Sequence, residues 1–129
     1  EKVSYYKSPP KRGDVVVFTP PVSSDDYIKR VVGLPGENIS INNSKVYINN
    51  ELLKEDYLKN DIITQGGNFL QEGQSYKVAN EEFFVMGDNR AHSYDSRSFG
   101  PIKKKVISGR AWIIYWPANL AGVVKAPSY

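Results

Sequence analysis

The sequence contains no cysteine, one histidine and one methionine among 129 residues. The missing cysteines remove disulfides, thiol nucleophiles and cysteine-based metal sites together, while leaving the compartment open. A single imidazole, His92, excludes a histidine-rich metal centre. Long apolar runs are also missing. The longest candidate, 111–124, is broken by Pro117 and Asn119 and falls short of the roughly 20 apolar residues a membrane helix needs. The net charge of +3 comes without a dense Lys/Arg stripe, which argues against nucleic acid as a partner and is compatible with weak attraction to anionic lipid headgroups.

What is present describes a folded domain. A hydrophobic content of 40% with 24% charged residues is ordinary for a globular chain, and the length suits one core, so residues 1–129 are read as one domain. Period-two patterning and β-branched residues dominate, which predicts a mostly β fold. Strands are expected at 14–18, at 27–32 before the Gly33, Pro35, Gly36 punctuation, at 82–86 and at 107–117. Ile39 and Ile41 alternate against Val46 and Ile48 across an Asn-Asn-Ser-Lys connection, which reads as a hairpin. Residues 54–80 are polar and irregular, so 38–80 is expected to form a hairpin followed by a mobile excursion or cap.

Two places carry possible chemistry. In the strand at 27–32, Tyr27, Lys29 and Val31 share one face and Ile28, Arg30 and Val32 the other. If the first face is buried, desolvation lowers the pKa of Lys29 and makes it a possible general base. The alternative is a solvated lysine that discourages edge pairing. The second place is "GDNRAHSYDSRSFG", residues 87–100. Its glycine and acid suit a tight turn in which Asp88 caps local amides, and Arg90 and Arg97 can each pair with Asp88 or Asp95 so that the loop braces itself. Ser93 and Ser96 add hydroxyls. A purely structural ionic loop remains the alternative. A Ser-His-Asp triad on His92 is disfavoured, because neighbours on one short loop seldom orient correctly.

"KRGDVVVF", "DYIKRVVGLPGE" and "FFVMGDNRAHSYDSRSFGPI" occur in that order between Lys11 and Ile102, and "GRAWIIYWP" follows. Together they resemble the type I bacterial signal peptidases, membrane-anchored serine proteases of the Ser/Lys class. The resemblance implies a compact antiparallel β-sheet or barrel catalytic domain with an irregular inserted cap. It makes Lys29 the general base, Ser93 the hydroxyl that orients it, and Asp95 and Arg97 the pair that holds the geometry. Asp88, Asn89, Arg90 and Arg30 become members of a structural box, and Asp26, Tyr27 and Ile28 the strand lining the substrate cleft.

The expected partners are preprotein signal peptides with small-x-small cleavage sites and a membrane surface, reached through the parent's anchor and Trp112 and Trp116. No metal or cofactor is implied. The expected location is the extracytoplasmic face of the cell membrane. One departure stands out: the family's nucleophile lies in a Ser-Met-x-Pro type motif, and the one methionine here is Met86. The chain, starting at Glu1, is therefore expected to be a fragment without anchor or nucleophile, and inactive alone. A self-cleaving repressor's Ser/Lys domain and a non-catalytic homologue that binds exported chains are the alternatives.

Overall fold

The structure, a computed structural model, describes residues 9–20 and 23–110. The expected strands at 14–18, 27–32 and 82–86 correspond to β1 (Val15–Phe18), β2 (Tyr27–Gly33) and β7 (Glu82–Met86). β8 (Ile102–Lys103) and β9 (Ile107–Arg110) complete a five-stranded sheet of order β8-β7-β2-β1-β9. A second sheet, of order β5-β4-β3-β6, is built from β3 (Asn38–Asn42), β4 (Lys45–Ile48), β5 (Glu51–Leu52) and β6 (Ser75–Lys77). The strand pairings are antiparallel, and the mostly β reading holds. Residues beyond Arg110, with Trp112 and Trp116, lie outside the described residues.

Local chemistry explains the second sheet. Ile39 faces Ile48 and Ile41 faces Val46, the register expected from their alternation. Asn43 and Ser44 link β3 to β4, and Asn49 and Asn50 link β4 to β5, all four with positive φ. Two consecutive left-handed residues form the tight turn whose twist matches that of the paired strands, and asparagine tolerates that region well.

β7 reads "EFFVM" without polar alternation because both of its faces are buried. Phe84 and Met86 join Val32, Ile39, Ile41, Val46, Leu70 and Val78 in one apolar cluster. Phe83 and Val85 join Val16, Phe18, Val31, Ile102 and Ile107 in another. The two strands that carry the site, β2 and β7, are thus held from both sides, and truncating a side chain such as Phe84 is expected to cost about 3–5 kcal/mol.

The stretch between β5 and β6 has no strand of its own, but it is tied down. Thr64 N–H donates to the Ser44 carbonyl at 3.0 Å, and Gly73 N–H to that of Ile41 at 2.8 Å. Phe69 and Leu70 N–H both donate to the Arg97 carbonyl, at 2.8 and 3.0 Å. Leu70 is buried in the first cluster. β6, which the sequence pattern did not announce, returns the chain to the edge of β3.

Candidate active site

Lys29 lies between Tyr27 and Val31 on the β2 face that packs into the second cluster, and it is 2% exposed. Its ammonium donates to Ser93 Oγ at 2.9 Å and sits 5.8 Å from the centre of the Tyr27 ring. Burial lowers its pKa from 10.5 to about 8, against the opposing pull of the Asp95 carboxylate; Arg97 assists the lowering, and Asp88 resists it weakly. A buried amine in this state is neutral in a useful fraction of molecules near neutral pH, so it can accept a proton.

Ser93 follows a 3-10 turn at Arg90–His92 and is pressed against Gly87, the residue after β7. A Cβ at Gly87 would lie 2.7 Å from Ser93 Cβ and 3.3 Å from Lys29 Nζ, and it would also strike Ser93 Oγ. The glycine therefore serves close approach. The turn geometry expected of it is not the reason, since its φ is not among the positive values.

Asp95 is fully buried and caps the short helix α1 (Ser96–Phe99). Its carboxylate accepts from Gly87 N–H at 3.0 Å, Arg97 N–H at 3.1 Å, and Arg97 Nε and Nη2 at 2.9 and 2.8 Å. Arg97 also donates through Nη1 to the Gln65 carbonyl and through Nη2 to the Arg90 carbonyl, both at 3.0 Å. One fork-to-fork pair thus fixes the backbone on both sides of Ser93.

The rest of the expected brace is different. Asp88 does not cap local amides; Arg30 of β2 takes its carboxylate bidentately through Nε at 2.9 Å and Nη2 at 2.6 Å. Arg90 pairs with neither Asp88 nor Asp95. Its Nε stays on the Gly87 carbonyl at 2.8 Å, while the end of the guanidinium reaches Glu55, with Nη2 to Oε2 at 2.7 Å, and Nη1 also reaches Thr64 Oγ1 at 3.1 Å. The physical reason is that Asp95 already accepts four hydrogen bonds from Arg97 and Gly87 and that Arg30 takes Asp88 bidentately, so the buried Arg90 is paired with an acid from elsewhere.

The other expected residues divide. Tyr27 and Ile28 are half-buried, and the Tyr27 ring lies 6.0–6.3 Å from those of Phe18, Phe99 and Tyr94. β7 pairs with β2 from Arg30 onward, so on that side Tyr27, Ile28 and Lys29 meet no strand among the described residues. Asp26 is exposed and accepts from Thr19 Oγ1 at 2.7 Å. Asn89 is exposed and makes no side-chain cap. His92 is exposed, and Ser96 Oγ accepts from Val85 N–H at 2.9 Å, so no triad is assembled. Among the described residues no group of three or more His, Cys, Asp or Glu side chains could hold a metal. Sequence reasoning missed Glu55, Tyr57 and Thr64, which contact the box from more than 25 residues away. No local signal marks them.

Residues 1–116 match the family described as signal peptidase, peptidase S26. The chain belongs to this family. As a signal peptidase family member it is 38% identical over 135 residues to "Signal peptidase I" of Leptolyngbya laminosa, covering 98% of this chain and 63% of that protein. It is 36% identical over 118 residues to "Signal peptidase I" of Bacillus amyloliquefaciens, covering 88% and 63%. A crystal structure of a signal peptidase I from Enterococcus faecalis V583 aligns with a TM-score of 0.65 at 29% identity, over 81% of this chain and 97% of that one. The antiparallel β fold is therefore that of signal peptidase I. The chain spans about three fifths of the length of the curated relatives it matches.

Proposed function

We propose that this chain is the catalytic domain of a signal-peptide-cleaving serine endopeptidase in which neutral Lys29 is the general base. The observation that carries the reading is the buried Lys29 ammonium 2.9 Å from Ser93 Oγ, with its pKa lowered by desolvation. Neutral Lys29 takes the proton of the attacking serine hydroxyl, and the serine oxygen bonds to the scissile carbonyl carbon. The lysine then returns the proton to the leaving amine, and water, deprotonated by the same lysine, resolves the acyl-enzyme. Ser93 orients the amine, while Asp95 and Arg97 keep Ser93 in place.

The substrate on this reading is a preprotein whose signal peptide ends in a small-x-small site. It binds extended along the side of Tyr27, Ile28 and Lys29 that β7 leaves uncovered. Ser-Met does not occur in the sequence, so the reading assigns the attacking serine to a part of the intact protein outside these 129 residues, which alone are inactive. It also places the intact protein in the cytoplasmic membrane with this domain on the extracytoplasmic face. Among the described residues no helix is long and apolar enough to cross a membrane.

The 2.9 Å contact also favours a second reading, with Ser93 itself as nucleophile. Its packing under Gly87 leaves little room for an acyl group, which supports the orienting role. The test is cleavage of a preprotein by the intact protein. Lys29→Ala is expected to abolish it, and Ser93→Ala to reduce it while an acyl-enzyme still forms. Full cleavage by Lys29→Ala overturns the general-base mechanism, and loss of the acyl-enzyme in Ser93→Ala transfers the nucleophile role to Ser93.

A further inference from the structure

Gly87 is the wall against which Lys29 and Ser93 pack, and its peptide groups are held from two directions. Its N–H donates to Asp95 at 3.0 Å, and its carbonyl accepts from Arg90 Nε at 2.8 Å. Arg90 has a fully buried side chain, and what keeps it there comes from the irregular stretch after β5. Glu55, 9% exposed, takes Arg90 Nη1 at 3.2 Å and Nη2 at 2.7 Å. Tyr57 O–H donates to the same carboxylate at 2.6 Å. Burial raises the Tyr57 pKa, with the Glu55 charge adding to it, so the phenol stays a donor. The Tyr57 ring also lies under the Arg30 guanidinium at 4.2 Å, and Arg30 holds Asp88.

We infer that Glu55 and Tyr57 are positioning residues for Lys29, acting through Arg90 on the Gly87 carbonyl and through Arg30 on Asp88. The inference deepens the proposed function and rests on Lys29 as its general base. Burial works against the charge of Arg90, and the Glu55 carboxylate, with smaller help from Tyr57 and Asp88, more than offsets it. Without that carboxylate the guanidinium is an uncompensated buried cation, a strongly unfavourable state that it relieves by swinging toward water. The Gly87 carbonyl then loses its donor, the wall loosens, and water reaches Lys29 Nζ. The charged groups that act on Lys29 are Asp95, Arg97 and Asp88, with Ser93 as its hydrogen-bond partner and the Tyr27 ring beside it. Glu55 is not among them, so its removal moves Lys29 through geometry and hydration rather than direct charge.

The experiment is titration of the Lys29 side chain by NMR in the intact protein, in wild type, Glu55→Gln and the double variant Glu55→Leu with Arg90→Met. The double variant replaces a buried ion pair by apolar groups of similar size, a change that commonly preserves folding. Both variants are expected to raise the Lys29 titration point by about one pH unit or more, as the amine regains water. A role in stability alone predicts a lower melting temperature in Glu55→Gln and an unmoved Lys29. If Glu55→Gln does not fold, the double variant decides. A depressed wild-type value that the folded variants leave unchanged overturns this inference alone. An ordinary lysine value in the wild type overturns the general-base reading and this inference with it.

Discussion

The Lys29 ammonium donates to Ser93 Oγ at 2.9 Å, across 64 residues of sequence, inside a site where the lysine is 2% exposed. Burying a charge with one hydroxyl partner is unfavourable, and the fold tolerates it through the rigidity of its surroundings. The consequences of that arrangement can be measured.

The first concerns stability and its pH dependence. Burial holds the folded-state pKa of Lys29 near 8, below the ordinary 10.5. Between these values the unfolded chain keeps a proton that the folded chain has released, so stability from this group rises with pH through that window. Below it the penalty is fully present, about 3 kcal/mol. Lys29→Met removes the penalty and forfeits a hydrogen bond worth about 1 kcal/mol, so it is expected to stabilise the fold by about 2 kcal/mol at neutral pH. Denaturant titrations of both proteins check this. The gain is expected to shrink as pH rises, and a variant less stable than wild type at neutral pH contradicts it.

The second concerns Gly87. An added methyl collides with Ser93, so Gly87→Ala is expected to destabilise by about 1–3 kcal/mol and to separate Ser93 from Lys29. The penalty is expected to fall in a Ser93→Gly background, where the two struck atoms are gone. A double-mutant cycle by thermal or chemical denaturation measures the coupling; strict additivity contradicts the contact.

The third concerns the buried pair. Asp95 is 0% and Arg97 5% exposed in their side chains, so Asp95→Asn strands a guanidinium in the interior. The expected loss is about 3–5 kcal/mol, read from the denaturation midpoint. A loss below about 1 kcal/mol, the size of an exposed pair, contradicts the burial.

These residues differ in how far the sequence reveals them. Alternation in β2 put Tyr27, Lys29 and Val31 on one face, and that face is buried as the general-base reading required. Alternation alone does not say that β2 is covered on both faces from Lys29 to Gly33, and it was the family resemblance that supplied the burial of Lys29. The Asp95–Arg97 pair was legible because both partners sit within one loop. The partner of Arg90 was not, because Glu55 lies 35 residues away in a stretch without periodicity. Local reasoning paired Arg90 with the nearest acids. The fold had already used those acids for Arg30 and Arg97, and this competition for partners is visible only in three dimensions. β6 was missed for a similar reason: its three residues gain their strand geometry from the edge of β3.

The measurement that bears most directly on the account is the pH dependence of kcat/KM for signal-peptide cleavage by the intact protein. A buried lysine acting as general base predicts a rate that rises with unit slope on the logarithmic scale and levels off above about pH 8. A rate that is flat through that range, or that rises only near the ordinary lysine value of 10.5, contradicts the assignment of Lys29 as the base.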